Sequence, residues 1–176
     1  VSVVAAFTAV NRIDDFAYTP EQNIAHSMTA LMAQNKGARK KNRMQEGFRC
    51  GMVLESIYGI FIFLVCFIFA KPLMCLFVQD EEVIMHGVTY LHLISIMYIL
   101  PAFTNGIQGF FRGIGDLKIT LISSLVNMTV RVIVAAPLVF SLHLGIEALP
   151  YSYLAGWIGM LMAELPLLIR TYKAYE

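Results

Sequence analysis

The sequence predicts an all-α integral membrane protein, a polytopic helical bundle, and three observations carry that reading. Of the 176 residues, 58% are hydrophobic and only 14% charged, and the mean hydropathy is +0.67. A water-soluble domain holds roughly 25% charged residues, so this chain has too few to cover a solvated surface. Its charges also leave four long apolar stretches. Residues 52–70 contain only Glu55, residues 83–111 no charge, residues 119–146 only Arg131 and residues 148–169 only Glu164. Each comes close to or exceeds the ~20 residues a helix needs to cross a ~30 Å hydrocarbon layer. None shows the short, strictly alternating pattern of a transmembrane β-strand.

Five helices follow in order. The first, over 1–34, opens on VSVVAAFTAV and then holds Arg12, Asp14, Asp15, Glu21 and His26, too many polar groups to face lipid. Phe16, Ile24, Met28 and Leu31 keep an apolar stripe at helical spacing. The pattern fits one long tilted helix, kinked near Pro20, with its polar face turned to protein or an aqueous cavity; an interfacial helix is the alternative. The second spans 41–70. The third, over 82–112, is crowded toward its end by Pro101, Gly106, Gly109, Gly113 and Gly115. The fourth, over 117–143, is interrupted by Pro137, and the fifth, over 147–172, contains Pro150 and Pro166. Such residues suit helices that bend as a transporter changes access, and small ones such as Gly156 and Gly159 equally suit close packing.

The links between helices assign sides. The first carries Lys36, Arg39, Lys40, Lys41, Arg43 and Arg49; the second, KPLMCLFVQDEEV, sets one Lys against Asp80, Glu81 and Glu82. The third returns Arg112 and Lys118, the fourth has no Lys or Arg, and the C-terminal end has Arg170 and Lys173. Short loops rich in Lys and Arg stay in the cytoplasm. The first and third links and the C-terminus are therefore expected inside a cell (plasma or inner) membrane, in contact with lipid headgroups. Gly37 is expected to let the first helix end. Five spans finishing inside place residue 1 outside without an export leader, so the reading expects a fragment lacking at least one upstream helix.

Several classes are disfavoured. A net charge of +1 gives no general attraction to nucleic acid. Cys50, Cys66 and Cys75 are scattered, with neither metal-ligand nor disulfide-framework spacing. No nucleophile–base arrangement, phosphate loop or HExxH supports an enzyme, so no cofactor or metal is expected.

The residues left to consider are polar ones inside spans. Asn105 and Gln108, at i and i+3 with Thr104 beside them, are expected to share a face and to coordinate an ion or hydrogen-bond a substrate; the structural alternative is an interhelical hydrogen bond. Arg131 lies about 20 Å beyond Lys118 by helical rise. It must face protein or water, paired with a carboxylate or carbonyl groups, with Asp14, Asp15 and Glu21 as candidate partners and Asn127 one turn away. A buried pair that only fixes packing is the alternative. Glu55 and Glu164 read as structural, near the inner boundary and paired with Arg49 or Arg170. His86, His92 and His143 read as interfacial, and most of Tyr58, Phe61, Phe63, Phe67, Phe69 and Trp157 as lipid-facing.

Taken together, the segments resemble the MATE (multidrug and toxic compound extrusion) family. AAFTAVNRIDDFAYTPEQNIAHSMTALMAQNKGARKKNR is similar to its eighth-helix region, in the small-residue entry, N-R-I, the mid-helix Pro and a Q-N-x-G-A followed by basic residues. PLMCLFVQDEEVIMHGVTYL resembles its ninth-to-tenth link, NGIQGFFRGIGDLK its tenth-helix end, and NMTVRV its eleventh helix. The resemblance covers essentially the whole chain. It implies helices eight to twelve of a twelve-helix transporter, 1–176 being a partial C-lobe whose partners are the N-lobe and seventh helix. It further implies alternating-access export of an organic, often cationic, small molecule against H+ or Na+. Many relatives carry an acid where this chain has Asn105, which puts a coupling carboxylate at that position in doubt. A lipid-linked oligosaccharide flippase of related fold, which would favour a more cationic cavity, and a non-transporting assembly subunit are the alternatives.

Overall fold

A computed structural model describes residues 2–140 and 148–173. Among them are α1 (Ser2–Gly37), α2 (Lys41–Ile68), α3 (Ala70–Cys75), α4 (Glu81–Ser95), α5 (Ile99–Gly113), α6 (Leu117–Phe140) and α7 (Ala148–Lys173), with no strand. By length and composition α2, α6 and α7 can each cross a membrane, and α4 with α5 makes a fourth, bent span. At 36 residues α1 is longer than any of these, but its polar residues set it apart. The link over 141–147, with His143, lies outside the described residues.

Three expectations about element boundaries are corrected. Residues 82–112 form two helices, α4 and α5, bent by 48° across a short break. The break at 96–98 lies one turn before Pro101, whose ring cannot donate to the Met97 carbonyl and crowds it. A tighter bond from Leu100 N to Met97 O, 2.9 Å, takes its place. Residues 41–70 likewise end as a helix at Ile68, with α3 a separate single turn and a half.

Gly37 is the last residue of α1, but it does not make the turn. The residue that turns the chain is Arg39, in the left-handed region at φ 57. Lys40 N donates to Asn35 O (2.9 Å) and Arg39 N to Lys36 O (3.0 Å), the two bonds of a Schellman closure. The same closure ends α5, with Asp116 N on Phe111 O (3.0 Å), Gly115 N on Arg112 O (3.1 Å), and Gly115 at φ +82. There a glycine supplies the left-handed conformation without steric cost. Lys36 Nζ also donates to the Ile114 carbonyl, which ties the ends of α1 and α5 together. At the opposite end of the bundle, Asp80 caps α4 by accepting from Glu82 N (2.9 Å) and Val83 N (3.3 Å).

In the bundle α5 packs against α1, α2 and α7, while α6 packs chiefly on α7. The approach of α1 to α5 is set by small residues at four-residue spacing. A Cβ at Gly109 would lie 2.7 Å from Ala25 O, and one at Gly113 2.6 Å from Thr29 O. Thr29 Oγ1 donates across this contact to Gly109 O at 3.2 Å. Burial then separates into two apolar clusters. One, toward the α4 cap, includes Val10, Ile13, Cys66, Met74, Leu91 and Tyr98. The other, toward the basic link, includes Met28, Met32, Met44, Phe48, Phe110 and Phe111. Between them in sequence on all three helices fall Glu21, Glu55 and Asn105, a polar layer at the waist.

Candidate functional site

The waist is built by stripes that the apolar periodicity alone does not reveal. On α2 the buried positions are Met44, Phe48, Gly51, Glu55, Gly59 and Cys66, one face at helical spacing. Glycines one turn before and after Glu55 bring the backbone close to its neighbours and carry the carboxyl inside. On α7 the stripe Ser152, Gly156, Met160, Glu164 does the same. Glu21, Glu55 and Glu164 are each 0% exposed. Placing Glu55 and Glu164 at the membrane boundary with Arg49 or Arg170 is thus corrected. Glu55 stands near the middle of its helix, and Glu164 Oε1 accepts from Gln108 Nε2 at 3.3 Å.

Above the waist an open cavity of about 460 Å³ lies between α1, α5, α6 and α7. From α1 come Asp14, Asp15, Tyr18 and Gln22, from α5 Asn105, from α6 Arg131, and from α7 Tyr153 and Trp157. Asp14 is nearly buried and accepts a hydrogen bond at Oδ1 from the Tyr98 hydroxyl, whereas Asp15 is exposed. The Arg131 guanidinium lies over the Tyr153 ring, 4.0 Å from its centroid, and 5.6 Å from that of Trp157. Gly156 makes room for it, since a Cβ there would lie 2.6 Å from Arg131 Cγ. Among the described residues Arg131 makes no ion pair, so its partners are aromatic faces while Asp14 and Asp15 share its cavity.

The residues singled out from sequence divide accordingly. Asp14, Asp15, Asn105 and Arg131 come together on the cavity, and Glu21 sits in the waist beside Asn105. Asn105 and Gln108 do not act on one face, because Gln108 turns to Glu164. Thr104 is fully buried and donates to Pro101 O at 3.0 Å. Asn127 points at α7, with Nδ2 3.5 Å from Met160 Sδ. Two aromatics expected toward lipid face inward instead: Trp157 lines the cavity, and the Tyr58 hydroxyl donates to Ala17 O at 3.0 Å. Phe61, Phe67 and Phe69 are exposed. Of the basic residues, Lys40, Lys41, Arg43 and Lys118 are exposed and Arg112 is half-buried. Phe48 near the start of α2 and Tyr172 near the end of α7 stack with centroids 5.7 Å apart. The basic link and the C-terminal basic residues therefore share one end of the bundle.

The outward face of α1 completes the picture. Arg12, Asp15, Thr19, Gln22, Asn23, His26 and Ser27 are all exposed along it. A stripe of this kind at membrane depth needs water or further protein beside it.

A protein-family model, MatE, matches residues 1–137. The chain belongs to the MatE family. It is 23% identical over 150 residues to a probable multidrug resistance protein NorM of Thermotoga maritima, covering 85% of this chain and 31% of that protein. It is 24% identical over 176 residues to a probable multidrug resistance protein YoeA of Bacillus subtilis, covering 99% and 36%. The chain thus spans about a third of the length of these MatE relatives. Among solved structures, a MATE crystal structure in the bent conformation superposes with a TM-score of 0.92 at 16% identity, over 99% of this chain and 39% of that one. The inward-facing conformation of a multidrug resistance MATE family transporter gives 0.89 at 16% identity, over 95% and 38%. The all-α membrane bundle is therefore the MATE fold, seen over one part of its length.

Proposed function

We propose that this chain is the C-lobe part, helices eight to twelve, of a multi-pass transporter in the cell membrane. The whole protein exports organic, cationic drugs or toxins by alternating access, in exchange for H+ or Na+. The observation that carries the reading is the open cavity lined by Asp14 and Asp15 together with Tyr153 and Trp157, the rings beside which Arg131 lies. Two carboxylates outnumber the one guanidinium there, and an acidic cavity with aromatic walls is the chemistry that suits an organic cation. The relatives' multidrug resistance names support the same substrate class. Transport then requires only that ion and substrate bind differently to the inward- and outward-open states. The bent break between α4 and α5 supplies a place for such a change on a helix that borders the cavity. With the basic link and α7 end inside, the C-terminus is cytoplasmic.

The test is transport by the full-length protein in proteoliposomes. A fluorescent quaternary ammonium dye is expected to move uphill under an imposed H+ or Na+ gradient, and the movement to collapse when an ionophore removes that gradient. No gradient-dependent movement across a broad panel of organic cations would refute the reading.

A further inference from the structure

Glu21 and Glu55 lie outside the cavity, and nothing in substrate recognition requires them to be acidic. They stand near the midpoints of α1 and α2, fully buried; neither Glu55 oxygen has a hydrogen-bond partner among the described residues, and the polar group beside the Glu21 carboxyl is the neutral Asn105 amide. The antiparallel register of α1 and α2, fixed by Met28 against Gly51 and by the Tyr58 hydroxyl on Ala17 O, sets Glu21 opposite Glu55. An apolar cluster lies on either side of them. On α5 the facing position is Gly106, where a Cβ would lie 2.5 Å from Met52 Sδ and 3.5 Å from Glu55 Cγ. A side chain there would press on the space that Glu55 and Met52 occupy.

Among the described residues neither carboxyl has an ion-pair partner. Tyr18 on α1 and Tyr58 on α2 lie near Glu21 and are acids themselves, and the Tyr58 hydroxyl is committed to Ala17 O. On α5 Asn105 is neutral, and Thr104 is committed to Pro101 O. On α6 Arg131 belongs to the cavity, where it stacks on Tyr153. Two adjacent carboxylates in a dry interior cannot both stay ionised without a cation, since each unpaired charge costs several kcal/mol. A hard metal ion takes about six oxygen ligands, and no group of three or more His, Cys, Asp or Glu side chains comes together among the described residues.

We propose that Glu21 and Glu55 are a shared proton site at the centre of the membrane, one carboxyl protonated while the other is ionised. Its existence rests on this packing alone. Its use, releasing the proton on one side and regaining it on the other as access alternates, rests on the antiport reading above.

Infrared spectroscopy of the full-length protein in lipid tests the site. The C=O stretch of a protonated carboxylic acid is expected at neutral pH in the unaltered protein, and to be lost or displaced in both Glu21→Gln and Glu55→Gln. In proteoliposomes the same variants are expected to lose at least tenfold of pH-gradient-driven dye efflux while keeping substrate-for-substrate exchange. A band unchanged by either substitution would overturn the proposal. So would its absence from the unaltered protein, a readout that needs no variant, or sodium binding that requires both carboxyls. A band that depends on both residues, in a protein whose transport ignores the pH gradient, would uphold the proton pair and reject the coupling.

Discussion

Gly113→Val is expected to remove most of the folded protein. The β-carbon of any residue at 113 would stand 2.6 Å from the Thr29 carbonyl oxygen, and 2.4 Å from Met32 Cβ. Carbonyl and Cβ atoms belong to or adjoin the backbone of α1, so a rotamer change cannot relieve the clash; α1 must move away from α5. Overpacking of a well-filled interior costs about 1–3 kcal/mol, with the upper end expected where the obstacle is backbone. The displaced helix is the one that carries Asp14 and Glu21, so transport is lost along with stability. Thermal unfolding followed by size-exclusion chromatography of the full-length protein should show a lowered midpoint and aggregated material. Gly37→Ala is the control: nothing lies within 4 Å of a Cβ there, and the residue is helical. Alanine at that position is expected to be neutral, or to stabilise by up to about 1 kcal/mol.

Asp14→Asn is expected to weaken binding of a monocationic dye by tenfold or more, about 1.4 kcal/mol or above. The amide keeps the shape of the side chain, and its oxygen can still accept from the Tyr98 hydroxyl. What disappears is the charge, at the least exposed carboxylate of the cavity, where the field acting on a bound cation is little screened. The exposed Asp15 should matter less, because solvent screens it. Equilibrium fluorescence titration of the purified full-length protein measures both. A neutral dye of similar size should bind Asp14→Asn as well as it binds the unaltered protein, and equal losses for charged and neutral dyes would point to distortion instead.

Much of this molecule is legible in its sequence, for reasons that are physical rather than statistical. Membrane helices declare themselves because the hydrocarbon layer forbids charge over some twenty residues, and only Glu55, Arg131 and Glu164 interrupt the four stretches. Asp14, Asp15 and Arg131 stand out because a charge inside a span must find protein or water. The break at 96–98 has a weaker signal. Pro20 lies within one continuous helix while Pro101 follows a break, and the proline alone does not tell which outcome neighbours will permit. Distance along the chain does not give the depth of Glu55 and Glu164. The signal that fixes it is rotational: each stands one turn from a buried residue, on a stripe containing glycine. The division of Asn105 from Gln108 depends on where α7 docks, which no local pattern encodes.

The central claim is that the polar face of α1 lines a water-filled pathway that an organic cation enters. Gln22 tests it directly, being exposed, uncharged and on the cavity wall. In a full-length protein cleared of other cysteines, Gln22→Cys should react with a membrane-impermeant thiol reagent, and a cationic substrate should protect it. Ile133→Cys, on the apolar outer face of α6, should stay unlabelled. Labelling of Gln22→Cys that substrate suppresses is the predicted result. A Gln22→Cys as inert as Ile133→Cys, in folded protein, would contradict the account.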